Sequence, residues 1–171
     1  MCLVLGLAAA LSCGMTHAQR RFLPVVDLVD VPVSIANKKA LSVDQVRAAI
    51  IAAALAAQWD VEPMSDGSMV LSTLRDMEYR ITMRATYTPT TYSLTYVSSQ
   101  NLKTLKADDY IPIKHGETLE NYAKTWRETR GALQPEYTYA VNRADLSIHP
   151  TYELLVYELS AGVRRHLRLV Q

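Results

Sequence analysis

Beyond Cys13 the chain has no cysteine; its only other one is Cys2. That absence removes a cysteine nucleophile, a thiolate zinc site, an iron–sulfur cluster and a disulfide framework from everything after Gly14. Charge of one sign is lacking as well. The 18 basic and 17 acidic residues leave a formal net charge of +1, so nothing electrostatic points to nucleic acid or to an acidic membrane surface as partner. No GxxxxGK or GxGxxG stretch is present to cradle a phosphate around Gly67 or any other glycine. Nor does any Gly-x-Ser-x-Gly elbow stand behind Ser98, Ser99 and His149, which removes the strand-to-helix nucleophile of a hydrolase. Neither His115 nor His149 belongs to a clear motif with a second His, Asp or Glu at helical three/four spacing, so no metal and no cofactor is expected.

What is present begins with an apolar run. Leu3 to Ser12 has the length of a signal h-region and falls short of the roughly 20 residues that span a bilayer. Thr16-His17-Ala18 offers small residues for a cut after Ala18, making residues 1–18 a signal peptide and Gln19 the mature start. Ala10-Leu11-Ser12-Cys13 is similar to a lipobox, which makes Cys13 a candidate for lipidation and for a lipid anchor. Against both stand the absence of Lys or Arg before the run and the presence of Arg20-Arg21 after it, where positive charge hinders translocation. The competing reading is a buried N-terminal helix.

Residues 19–40 contain two prolines and many β-branched residues without helical periodicity, and read as an extended linker. From Leu41 the pattern sharpens. Ser42 and Gln45 form a capping box, and Val46, Ala49, Ile50, Ala53, Ala54 and Ala57 recur at the spacing of one buried helix face. "SDGS" at Ser65 to Ser68 is turn chemistry. Tyr79, Ile81, Met83, Ala85 and Tyr87 alternate with Arg80, Thr82, Arg84 and Thr86, the signature of a half-buried strand. Tyr92, Leu94 and Tyr96 alternate with Ser93 and Thr95 in an antiparallel partner across "TPTT". After Pro150, residues Tyr152, Leu155, Val156, Leu159, Val163 and Leu167 mark a second helix face, and Arg164, Arg165 and Arg168 suit the negative end of its dipole. In between, "ETLENYAKTWRETRG" has Leu119, Tyr122, Ala123 and Trp126 at helical spacing, with Gly131 as a stop, and "YTYAV" at Tyr137 reads as a short strand.

These patterns predict an α+β domain: a two-layer sandwich, with an antiparallel sheet of three or more strands and helices packed on one face. It would occupy residues 41–171, with an insertion at about 103–147. Arg80, Thr82, Arg84, Ser93 and Thr95 are expected together on the open face, the place for a partner. Ten tyrosines against one phenylalanine suggest an apolar sheet face lined by rings, or a platform for a glycan, peptide or protein.

The segments "LSVDQVRAAIIAAALAAQWDV", "GSMVLSTLRDMEYRITMRATYTPTTYSLTYVSSQNL" and "IHPTYELLVYELSAGVRRHL" resemble a family of small uncharacterised bacterial envelope proteins classed with the lipoproteins. Trp59, Gly67, Tyr92, Ser93, Tyr96, Ser99, Asn101, Leu102, Ile148, His149 and Tyr152 occupy the family's pattern positions. Similar proteins connect the Asn-Leu to the Ile-His more briefly, so "YIPIKHGETLENYAKTWRETRG" looks like an insertion. The resemblance implies an exported α+β protein and no particular activity. Function is therefore expected to be non-enzymatic: binding of an envelope protein, peptidoglycan or glycan as an accessory or assembly factor. The alternative is a hydrolase of an envelope polymer, drawing carboxylates from Asp108, Asp109, Glu117 and Glu120 in the insertion. A third is an edge strand that recruits an extended peptide.

Overall fold

The structure is a computed structural model, and it describes residues 22–33, 40–102, 104–106 and 138–169, with Thr118, Asn121, Lys124, Thr125 and Glu128. Residues 1–21 lie outside that set, and with them the expected signal peptide, its cleavage points and Cys13. Strands β1 (Leu23–Pro32), β2 (Asp60–Pro63), β3 (Met69–Arg75), β4 (Tyr79–Tyr87), β5 (Thr91–Gln100), β6 (Thr104–Lys106) and β7 (Ala140–Ile148) form one antiparallel sheet. Their order is β2-β3-β4-β5-β1-β7-β6. Helices α1 (Val43–Ala56) and α2 (Thr151–Leu169) complete an α+β fold, as the sequence predicts.

Helix α1 starts where its capping box is. Gln45 N–H donates to Ser42 Oγ at 3.2 Å, and Ser42 N–H donates to Gln45 Oε1 at 2.9 Å, so two otherwise orphaned donors are satisfied. Its end is a Schellman turn: Gln58 takes φ 60°, Trp59 N–H reaches Ala54 O at 2.8 Å and Gln58 N–H reaches Leu55 O at 3.1 Å. Side chains from β3 reinforce that end. Arg75 Nη2 donates to Ala57 O at 2.6 Å, and Thr73 Oγ1 donates to Gln58 O at 2.9 Å.

Val46, Ala49, Ile50, Ala53 and Ala54 of α1 are buried with Tyr152, Val156, Leu159, Val163 and Leu167 of α2 and with Met69, Leu71, Ile81, Met83, Ala85, Tyr92 and Leu94 of the sheet. Each Val, Leu, Ile or Met among them contributes about 1.5–3 kcal/mol by leaving water, and each alanine methyl about 0.8 kcal/mol. Helix α2 meets β1, while α1 rests mainly on α2 and touches β2 and β4. The two helices approach closely because they meet at small residues: a Cβ at Gly162 would stand 3.3 Å from Ala53 Cβ.

Two boundaries differ from the sequence reading. Residues 19–40, expected as a linker outside the domain, include β1, which lies between β5 and β7 and buries Leu23, Val25, Val26, Leu28 and Val31. The expected insertion at 103–147 likewise includes most of β7, the neighbour of β1. The physical reason is common to both. β1 and β7 pair across more than a hundred residues with irregular register, so neither shows the period-two alternation that marks an ordinary half-buried strand.

Candidate functional site on the open face of the sheet

Strand alternation sets the two faces. Opposite the helices, Arg84 pairs with Thr95, Thr86 with Ser93 and Thr82 with Ser72, so the expected residues Arg80, Thr82, Arg84, Ser93 and Thr95 share one face. Arg84 and Thr86 are exposed; Arg80, Thr82, Ser93 and Thr95 are half-buried. Local bonds already engage part of this set. Arg80 Nη1 donates to Ser72 Oγ at 3.4 Å, and Thr95 Oγ1 donates to Arg84 O at 3.4 Å. Ser93 Oγ accepts the N–H of Asp30 at 3.0 Å, where φ is 54° and β1 shifts register against β5.

At one end of the face Arg84 is tied to the turn between β2 and β3. Its Nη2 pairs with Asp66 Oδ2, and its Nε donates to Ser68 Oγ at 3.1 Å. Asp66 Oδ1 in turn accepts Ser68 Oγ–H at 2.6 Å and Ser68 N–H at 3.0 Å. These Ser68 bonds, with Arg84 adding to them, hold the Asp66 carboxyl below the usual aspartate range. Beside this turn lies a shallow depression of about 350 Å³ lined by Val43, Asp66, Gly67, Ser68, Thr86 and Tyr87.

The second polar cluster sits where the sheet loses its register. Between Pro24 and Val26 β1 advances two residues while β7 runs from Ser147 to Asn142, and β5 carries a further irregularity opposite Thr82 and Met83. Bulges of this kind re-aim side chains. Asp27 Oδ1 accepts the Tyr96 N–H at 2.7 Å, and Arg143 Nη1 donates to Tyr96 O at 3.3 Å, so charged groups satisfy both backbone atoms of one residue. Arg143 Cζ lies 6.0 Å from the Tyr96 ring centroid, and its Nε is 3.6 Å from Asp145. Burial raises the Asp27 pKa above the ordinary value; the Tyr96 bond and the Arg143 charge oppose the shift.

The hairpin tyrosines Tyr79, Tyr87, Tyr92 and Tyr96 alternate onto the helix-covered side. Tyr92 OH meets Ser160 Oγ at 2.7 Å, Tyr152 OH donates to Val26 O at 2.8 Å, and the Tyr96 and Tyr152 rings cross edge to face at 5.3 Å. Burial lifts the Tyr152 phenol well above its ordinary pKa, keeping it a neutral donor. His149 starts α2: its Nδ1 accepts the Thr151 N–H at 3.3 Å.

His115, Asp108, Asp109, Glu117 and Glu120 lie outside the described residues, so the carboxylates of the hydrolase alternative have no described geometry. Among the described residues no three His, Cys, Asp or Glu side chains gather as a metal site, and no helix is long and apolar enough to cross a membrane. Sequence reading considered Tyr96 only as one of the hairpin tyrosines of a ring-lined face or platform, and passed over Asp66, Asp27 and Arg143 as site residues. One signal was available: an aspartate inside the apolar run "PVVDLV" is hard to place in a buried strand unless something bonds it.

The fold and these clusters define an α+β domain with one helix-covered sheet face and one open face, on which Arg80, Thr82, Arg84, Ser93 and Thr95 stand with Val70 and Leu74. Comparison of the chain with protein-family models, with curated proteins and with solved structures finds no match in any of the three.

Proposed function

We propose that this protein is a non-enzymatic component of the bacterial cell envelope, exported to the periplasm or anchored there through Cys13. Its role is to bind another envelope component, an envelope protein, peptidoglycan or glycan, as an accessory or assembly factor. The observation that carries this reading is the gathering of Arg80, Thr82, Arg84, Ser93 and Thr95 on one face, opposite both described helices. Their mixture of donors and acceptors suits a polar partner. The N-terminal run and the resemblance to envelope proteins supply the location.

Two measurements in the native host test it. The intact mass should begin at acylated Cys13 or at Gln19, and retained Met1 would overturn export. A photo-crosslinking residue at Thr95 should join the protein to one envelope component, whereas the same residue at the exposed Glu158 of α2 should not. Equal labelling from both positions would overturn the open face as the binding surface.

A further inference from the structure

We infer that the depression beside the β2–β3 turn is a binding site for a neutral saccharide, with Asp66 as its oriented acceptor. Three separate stretches build it: Val43 from the first turn of α1, Asp66-Gly67-Ser68 from the turn, and Thr86-Tyr87 from the end of β4. Its volume of about 350 Å³ falls at the small end of the range for ligand sites, about 300–1,000 Å³. That is room for a short saccharide unit and too little for a folded partner.

The lining chemistry selects the ligand class. A sugar hydroxyl both donates and accepts, and it is bound by groups whose positions are fixed before it arrives. Asp66 meets that condition, because Ser68 and Arg84 hold both carboxylate oxygens in place while the side chain stays about half exposed, at 52%. A carboxylate has about four acceptor positions, and the bonds from Ser68 N–H, Ser68 Oγ–H and Arg84 occupy three. Thr86 adds a hydroxyl, Tyr87 a ring with a phenol, and Val43 an apolar surface for the C–H face of a sugar. Arg84 cancels the charge of Asp66, so the site attracts neither a phosphate nor a cation by charge. Gly67 lets the turn take a φ of 82°, which disfavours other residues, and the space beside it is open, since a Cβ there would meet nothing within 4 Å.

This inference deepens the envelope-partner reading by giving a ligand class to its Arg84 end. The test uses the purified full chain, amide NMR, and three probes: chitotriose, maltotriose and inorganic phosphate. One or both oligosaccharides should shift the Gly67, Ser68, Thr86 and Tyr87 amides with a Kd near 1 mM, the weak end of specific affinity. Phosphate should leave them in place. Asp66→Asn should weaken binding about tenfold, equivalent to about 1.4 kcal/mol, and Thr86→Trp, on an exposed strand position, should abolish it while the remaining spectrum stays folded. The inference falls if neither oligosaccharide moves these amides at ten times that concentration, if phosphate moves them as much, or if Thr86→Trp binds unchanged. Such a failure leaves Thr95 crosslinking untouched, and a cytoplasmic protein that still bound chitotriose would sink the envelope reading alone.

Discussion

Strands β3 and β4 pair through seven consecutive positions, Met69 with Ala85 to Arg75 with Tyr79, without a break. The seam of β5, β1 and β7 lies in the same sheet but is interrupted on both sides of β1. Where the ladder is continuous, backbone bonds and alternation carry the pairing, and Thr73 and Arg75 at the end of β3 are left to bond the carbonyls at the end of α1. Where it breaks, side chains replace the ladder: Asp27 and Arg143 satisfy Tyr96, and Tyr152 OH reaches the Val26 carbonyl. The comparison teaches that the regular half is held by local pairing and the seam by long-range polar bonds between residues that no local pattern joins.

The largest test of this contrast is removal of β1. A chain starting at residue 40 loses Leu23, Val25, Val26, Leu28 and Val31 from the core, each worth about 1.5–3 kcal/mol, which together rivals a typical total stability of about 5–15 kcal/mol. It should show no cooperative thermal unfolding by circular dichroism. A tether could be removed without effect, so an unchanged melt would make β1 dispensable.

Smaller effects should separate the seam from the meander. Asp27→Ala leaves the Tyr96 N–H without its acceptor, and Tyr152→Phe leaves the Val26 carbonyl without its phenol; each should lower stability by about 1–3 kcal/mol in denaturant titration. Ser72→Ala, on the open face of the unbroken β3–β4 ladder, gives up only the 3.4 Å bond from Arg80 and should stay within about 0.5 kcal/mol of the parent.

How much was legible follows the same division. The Ser42–Gln45 cap, the alanine face of α1, the alternation of β4 and the apolar face of α2 were all readable, because each is written within one element at its own period. The five open-face residues were placed by parity alone. β1 escaped because consecutive buried residues, Val25 and Val26, straddle a register shift and abolish alternation. Tyr96, Asp27 and Arg143 escaped as a group because their meeting depends on β7 returning beside β1.

In the meander, strain should be removable. Asp76 and Met77 carry φ of 54° and 56° in the β3–β4 turn, closed by Glu78 N–H to Arg75 O at 2.9 Å. Two positive values define a turn that favours Asn-Gly, so Asp76→Asn with Met77→Gly should raise stability by about 1 kcal/mol and thus the denaturation midpoint.

The smallest effect is in pH. Asp66 has a lowered folded pKa, so its stabilisation is present above the ordinary aspartate value and is lost as pH falls through the folded one. Asp27 has a raised folded pKa, so its contribution is present below the ordinary value and is lost as pH rises through the folded one. Carboxyl NMR titrations should therefore move in opposite directions, and Asp27→Asn should remove only the second trend. Parallel shifts would erase the distinction between the exposed corner and the seam.

By itself the sequence determined the helices, the regular strands, their buried faces and the absence of thiol chemistry after Cys13, since these depend on residue type and short spacing. Tertiary structure alone decided that the stretch before α1 is a central strand, that Asp27 and Arg143 meet at Tyr96, and that Asp66 comes to lie beside Arg84. Those contacts join residues 18 to over a hundred positions apart, and such pairings are fixed by the packing of the whole sheet rather than by any local period.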